Sequence, residues 1–153
     1  MFACRLEHVM SATAKLGTRE VIGPVPEGFR INIHVASGEV AGPRISGKLL
    51  PLGGDWLTVR RDGMALLDVR LSIETNDGAL IYVTYSGSVD WGEDGYDRVL
   101  RGEAVGAGQT IRISPKFLTS HTRYIWLNRL HCIGVGEAFR ERAEIAYDIY
   151  AVG

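Results

Sequence analysis

The sequence predicts an all-β protein: one antiparallel barrel of about nine or ten strands with one short helix, spanning residues 1–153 as a single domain. Three observations predict it. Hydropathy alternates with a period of two along most of the chain, as it does in half-buried strands. Asp62-Gly63 and Asn76-Asp77-Gly78 are hairpin signals, since such turns need positive φ. So many short strands in one small chain would leave long exposed edges in an open sheet, and closure removes them.

The elements follow in order. Phe2, Cys4, Leu6, His8 and Met10 alternate as a first strand, and Gly23-Pro24-Val25-Pro26-Glu27-Gly28 reads as a stiff loop. Phe29, Ile31, Ile33 and Val35 then share one face, with Arg30, Asn32 and His34 on the other. After a bend at Ser37–Pro43, residues 44–51 form a short strand ended by Leu52-Gly53-Gly54. Strands over Trp56–Arg60, Met64–Thr75 and Ala79–Ser86, joined by the two hairpin turns, make a meander. Glu93–Gly102 is the helical stretch, with Asp94 as cap and Gly102 as stop. Thr110–Leu118 is a strand whose Pro115 places it at an edge or a bulge. Tyr124–Val135 and Ala143–Val152 are the last two strands.

The 153 residues are 46% hydrophobic and 23% charged, enough to bury a core without disulfides or metal. A net charge of −1 gives no bulk attraction to nucleic acid or anionic lipid. Cys4 and Cys132 read as two buried thiols in a reducing compartment, or as a disulfide if their strands are neighbours. The N-terminus lacks the apolar run of a signal peptide, and no stretch nears the ~18 apolar residues of a membrane span. The expected location is the cytoplasm. His8, His34, His121 and His131 are scattered without ligand spacing, so no metal site is expected. There is no phosphate-binding glycine loop, dinucleotide fingerprint or serine elbow, and no cofactor is expected.

An ordered set of segments is more specific. Gly42-Pro43-Arg44-Ile45-Ser46-Gly47 leads to Gly53-Gly54-Asp55-Trp56, then to Asp62-Gly63, Leu67-Asp68-Val69-Arg70 and Asp77-Gly78-Ala79-Leu80-Ile81-Tyr82-Val83. Arg123-Tyr124-Ile125-Trp126-Leu127-Asn128-Arg129 and Gly134-Val135-Gly136 complete it. From about Ile31 to Gly136 the chain resembles domain of unknown function 3237, also called uncharacterised protein family 0311. The resemblance implies a calycin-like antiparallel barrel, often a homodimer. It associates a few members with polyketide-type pathways and ring-closing addition of a hydroxyl to an activated double bond. It transfers no catalytic residues.

Candidate site residues come from shared strand faces. Asp68 and Arg70 point the same way, opposite Leu67, Val69 and Leu71. Either the charged pair is solvated outside the core, or it lies in the lumen with Arg70 compensating the buried Asp68. Tyr82 is a candidate hydrogen-bonding group for a ligand oxygen, or a packed aromatic with its hydroxyl in water. Tyr124, Trp126 and Asn128 share a face suited to a ligand pocket, a subunit interface or plain core. Asp55 and Trp56, at a glycine-rich turn, are further ligand-binding candidates, with turn stabilisation as the other use of Asp55.

Two functions follow. One is a cofactor-independent cyclase or isomerase, with Asp68 as general base, Arg70 with Tyr82 or Tyr124 stabilising developing charge, and Trp126 and Asn128 holding the substrate. The other is a non-catalytic carrier for a small hydrophobic or aromatic ligand. A structural dimer subunit is a third.

Overall fold

The computed structural model describes residues 1–153. Its strands are β1 (Leu6–Val25), β2 (Gly28–Gly42), β3 (Ile45–Leu49), β4 (Gly54–Val59), β5 (Met64–Thr75), β6 (Leu80–Asp90), β7 (Thr110–Leu118), β8 (Cys132–Phe139) and β9 (Glu144–Val152). One short helix, α1 (Gly95–Leu100), lies between β6 and β7, and 3-10 turns cover Ile125–Arg129 and Arg140–Arg142.

All pairings are antiparallel, and they run round a ring. β1 pairs with β2, β2 with both β3 and β4, and these two with β5. The ring continues through β6, β7, β8 and β9 back to β1. It is uneven, because two short strands share one position. β3 pairs with Gly38–Gly42 of β2, and β4 with Phe29–His34. The link Leu50–Gly53 joins them.

Alternation sorts the side chains as expected on β5: Ala65, Leu67, Val69, Leu71 and Ile73 are buried. They belong to one hydrophobic core of 30 buried residues. Paired rows cross the wall. Phe29, Val59, Ala65 and Val89 form one such row at the end next to α1. The helix buries Tyr96 and Val99 and covers that end. Its approach depends on Gly63, at φ +86, where an added Cβ would lie 1.6 Å from the Gly92 carbonyl oxygen. At the other end, Tyr124 and Leu127 of the 3-10 segment are buried in the same core.

The differences from expectation have local causes. β1 runs on to Val25, far past Met10, through residues whose alternation is scrambled by register shifts at Lys15/Leu16 and Leu16/Arg19. Such bulges turn side chains to the opposite face and erase the period of two. Residues 124–129, expected as strand, form a turn and a 3-10 helix, and the strand begins only at Cys132. Pro115 fits the expected edge position: the β7–β8 ladder stops at Ile113, leaving Pro115 paired to β6 alone. Cys4 is exposed and Cys132 buried, and both are free thiols. No helix is long and apolar enough to cross a membrane.

Candidate functional site

Strand parity decides where the candidate residues fall. Asp68 and Arg70 face outward, with side chains 59% and 50% exposed, so the lumen placement is corrected. Their strand turns Val69 and Leu71 inward because a solid aliphatic core outweighs burial of an ion pair. Arg70 donates from Nη1 to Asp68 Oδ1 at 2.9 Å, and its guanidinium carbon lies 5.6 Å from the centre of the Trp56 ring. Trp56 is half-buried on that outer face. Tyr82 is also on it, 45% exposed, and does not reach the lumen.

Tyr124, Trp126 and Asn128 do not share a face, because the segment is not a strand. In a 3-10 turn residues three apart align, so Tyr124 and Leu127 are buried together. The Tyr124 hydroxyl donates to Asp77 Oδ1 at 2.7 Å, ending in a latch rather than a pocket. Thr75 Oγ1 donates to the same oxygen at 2.5 Å, and Arg123 Nη1 to Asp77 Oδ2 at 3.1 Å. The Thr75 and Tyr124 hydroxyls and the Arg123 charge hold the Asp77 carboxyl at about 2. Asn128 is exposed and bonds both ways with the Thr119 backbone, its Oδ1 accepting from N–H and its Nδ2 donating to C=O, each at 2.9 Å. Trp126 lies under Arg44, 4.0 Å from ring centre to guanidinium carbon.

Asp55 is the residue that enters the barrel. It is not in a turn but in β4, two positions before the inward Leu57. Register places Ile33, Asp55, Val69, Tyr85 and Pro115 in one row across β2, β4, β5, β6 and β7. The β4–β5 ladder skips Trp56 and Leu57 between Asp55↔Val69 and Thr58↔Leu66. In that gap the Asp68 N–H donates to Asp55 Oδ1 at 3.0 Å, a side-chain acceptor standing in for a ladder bond. No cation forms an ion pair with Asp55. Burial is the main cause that pushes its carboxyl up to about 7; the Asp68 charge adds to this, while the Asp68 N–H bond and the Arg30 charge oppose it.

Two tyrosines missed by the sequence reading accompany it. Tyr85 and Tyr147 meet edge to face, with ring centres 5.9 Å apart. The buried Tyr147 hydroxyl has no hydrogen-bond partner. Burial raises the pKa of both phenols, the two hydroxyls act on each other, and the nearby Asp55 charge adds a further upward push. Gly136 makes room for Tyr147: a Cβ there would lie 2.3 Å from its ring. Their signal in the sequence was a phenol on an otherwise apolar strand face, Tyr85 after Ile81 and Val83, Tyr147 between Ile145 and Ile149. Both tyrosines line a narrow hollow of about 30 Å³ whose other walls are apolar apart from Thr13, among them Leu71, Val83, Ile113 and Phe117. That is room for about two water-sized groups. No group of three or more His, Cys, Asp or Glu side chains converges as metal ligands would.

The family model described as "Protein of unknown function (DUF3237)" matches residues 4–152. The chain belongs to the DUF3237 family. A relative, a UPF0311 protein of Rhodopseudomonas palustris, is 32% identical over 147 residues, 95% of each chain. A solved structure titled a beta-barrel like protein, from Acinetobacter baumannii, matches with TM-score 0.80 and 28% identity over 100% of this chain and 98% of its own. A second, titled an enzyme from Penicillium herquei, matches with TM-score 0.73 over 100% of this chain and 97% of its own, and at 23% identity it is a likeness of fold. The DUF3237 barrel thus has three inward polar groups, the Asp55 carboxyl and the Tyr85 and Tyr147 phenols, and a polar face outside around Asp68 and Arg70.

Proposed function

We propose that this barrel handles a small molecule with Asp55 as its acid–base group, and that the reaction is a cofactor-free intramolecular addition of a hydroxyl to an activated double bond. The observation that carries the reading is a carboxyl group inside the barrel with no cation paired to it, in one row with Tyr85, whose ring meets that of Tyr147, a buried phenol with no hydrogen-bond partner. Buried groups left unsatisfied cost stability, and they cluster where chemistry needs them. A carboxyl titrating near 7 is present in both forms at neutral pH, as a group that takes and returns a proton must be.

In this reading Asp55 takes the proton of the substrate hydroxyl. The oxygen attacks the distal carbon of the conjugated double bond, and its electrons move onto the carbonyl oxygen. The Tyr147 and Tyr85 hydroxyls donate to that developing enolate. The proton on Asp55 then passes to the carbon next to the carbonyl, and the product is an isomer of the substrate. The 30 Å³ hollow beside the two tyrosines admits the carbonyl end; Asp55 is not one of its walls, so side chains must part for a substrate to reach both the carboxyl and the phenols. The Asp68, Arg70 and Tyr82 roles read from the sequence pass to Asp55, Tyr147 and Tyr85, since only these lie inside.

The test uses an ortho-hydroxyaryl enone, whose ring closure is followed by loss of its long-wavelength absorbance. The protein should accelerate closure, and Asp55→Asn should lower the rate by about 10²-fold or more. No acceleration over buffer, or full turnover by Asp55→Asn, overturns the reading. The apolar lining of the hollow favours a second reading, a carrier. A carrier returns its ligand unchanged after incubation and binds it equally well with Asn at position 55.

A further inference from the structure

The outer face of β5, β6 and β7 carries a polar hollow of about 220 Å³ that the acid–base reading does not use. Six outward side chains line it in two adjacent rows. One row is Arg70, Thr84 and Lys116, and the other is Asp68, Ser86 and Ser114. Its floor is Val69 and Tyr85, the outer side of the Asp55 layer.

The chemistry of the rows is uneven. Lys116 forms no ion pair. Arg70 donates from one nitrogen to Asp68, its guanidinium carbon lies 5.6 Å from the centre of the Trp56 ring, and its other N–H groups have no protein partner. The hydroxyls of Thr84, Ser86 and Ser114 bond to no other side chain or backbone group. With neighbouring strands ~5 Å apart, Arg70 and Lys116 stand about 10 Å apart with Thr84 between them. A tetrahedral or planar oxyanion over Thr84 can therefore meet both cations and at least one hydroxyl, which are the donors that bind phosphate and carboxylate most strongly. Two cations against one carboxylate leave the hollow with net positive charge.

The next row along the same face is Ser72, Tyr82 and Leu118. Tyr82 is 45% and Leu118 57% exposed, so an apolar surface adjoins the cationic end of the hollow. We propose that the hollow is a binding site for an organic oxyanion, its charged head between Arg70 and Lys116 and its apolar body on Tyr82 and Leu118. The ligand class is an aryl or short-chain phosphate or carboxylate.

The test titrates the whole protein with phenyl phosphate and with inorganic phosphate, each at constant ionic strength set with chloride, and follows backbone amide shifts by NMR. Saturable shifts should appear at Thr84, Ser86, Ser114 and Lys116, with phenyl phosphate binding at least threefold tighter than inorganic phosphate. Lys116→Met should weaken both ligands about tenfold. Arg70→Lys, which keeps the charge and loses the planar fork, should weaken both as well. Leu118→Ser should remove only the advantage of phenyl phosphate. These exposed substitutions leave the core untouched, and matching far-ultraviolet circular dichroism verifies the fold of each. Absence of saturation, equal shifts with chloride alone, or unchanged affinity in Lys116→Met overturns the proposal. Equal affinity for the two phosphates overturns its apolar half.

Discussion

Replacing Asp55 with Asn tests the buried carboxyl independently of any substrate. Asn keeps the shape and an Oδ1 that accepts from the Asp68 N–H, so the β4–β5 gap stays filled. What changes is the proton. In the folded chain Asp55 titrates near 7 against an ordinary 3.8. Between those values the folded state holds a proton that the unfolded chain has released, so stability falls as pH rises through the window. At ~1.4 kcal/mol per pH unit, the full displacement corresponds to about 4 kcal/mol by pH 8. Residual water near a half-buried group lowers that ceiling, and about 2–4 kcal/mol is the expected range. Urea unfolding followed by fluorescence of the three tryptophans reads it directly. With a slope of about 2 kcal/mol/M, the variant should gain roughly 1–2 M in midpoint over the native chain between pH 4 and pH 8. The histidines and the other carboxyls titrate in both proteins and cancel in the difference. If the two midpoints move in parallel across that range, Asp55 is not a buried acid, and the reasoning that makes it the reactive group fails with it.

The Asp77 latch has the opposite sign. Its carboxyl is held at about 2, so its contribution is complete above 4 and is lost as pH falls toward 2. Asp77→Asn should lower the thermal midpoint at pH 7 and match the native chain at pH 2; an equal deficit at both pH values would refute the latch. Tyr124→Phe should reproduce part of that loss at neutral pH, measured in the same melts. Leu127, 1% exposed at the capped end of the barrel, should cost about 2–4 kcal/mol when cut to Ala, read by urea unfolding. Gly136→Ala should cost about 1–3 kcal/mol and alter the near-ultraviolet circular dichroism of Tyr147, because the new methyl occupies the place of the ring.

The barrel was legible in the sequence because period-two alternation and Asp-Gly turns are local signals. Asp62-Gly63 and Asn76-Asp77-Gly78 did form the hairpins, with Gly63 and Gly78 at positive φ. The same logic failed over 124–129. Tyr124, Trp126 and Asn128 are two apart, yet bonds from Tyr124 to Asp77 and from Asn128 to Thr119 hold the segment as a turn. Those partners are 47 and 9 residues away, beyond what a local pattern encodes. On β5 the alternation correctly separated Asp68 and Arg70 from the apolar set but could not say which set faced the lumen. The aliphatic count on the opposite face was the deciding quantity. Asp55 stands out in the sequence, but its glycine neighbours predict a turn. Gly53 and Gly54 instead permit close strand approach: a Cβ on either would lie within 2.5 Å of the Arg70 or Ile33 carbonyl oxygen.

The double occupancy of one barrel position, β3 then β4, puts a seam in the wall. That seam is narrow: the Leu50 N–H still bonds to the Ser72 carbonyl and the Val35 N–H to the Gly53 carbonyl, so only the exposed Pro51 and Leu52 stand outside the pairing. A change confined to Pro51 and Leu52 therefore removes no bond between staves, while a change one residue further either way does.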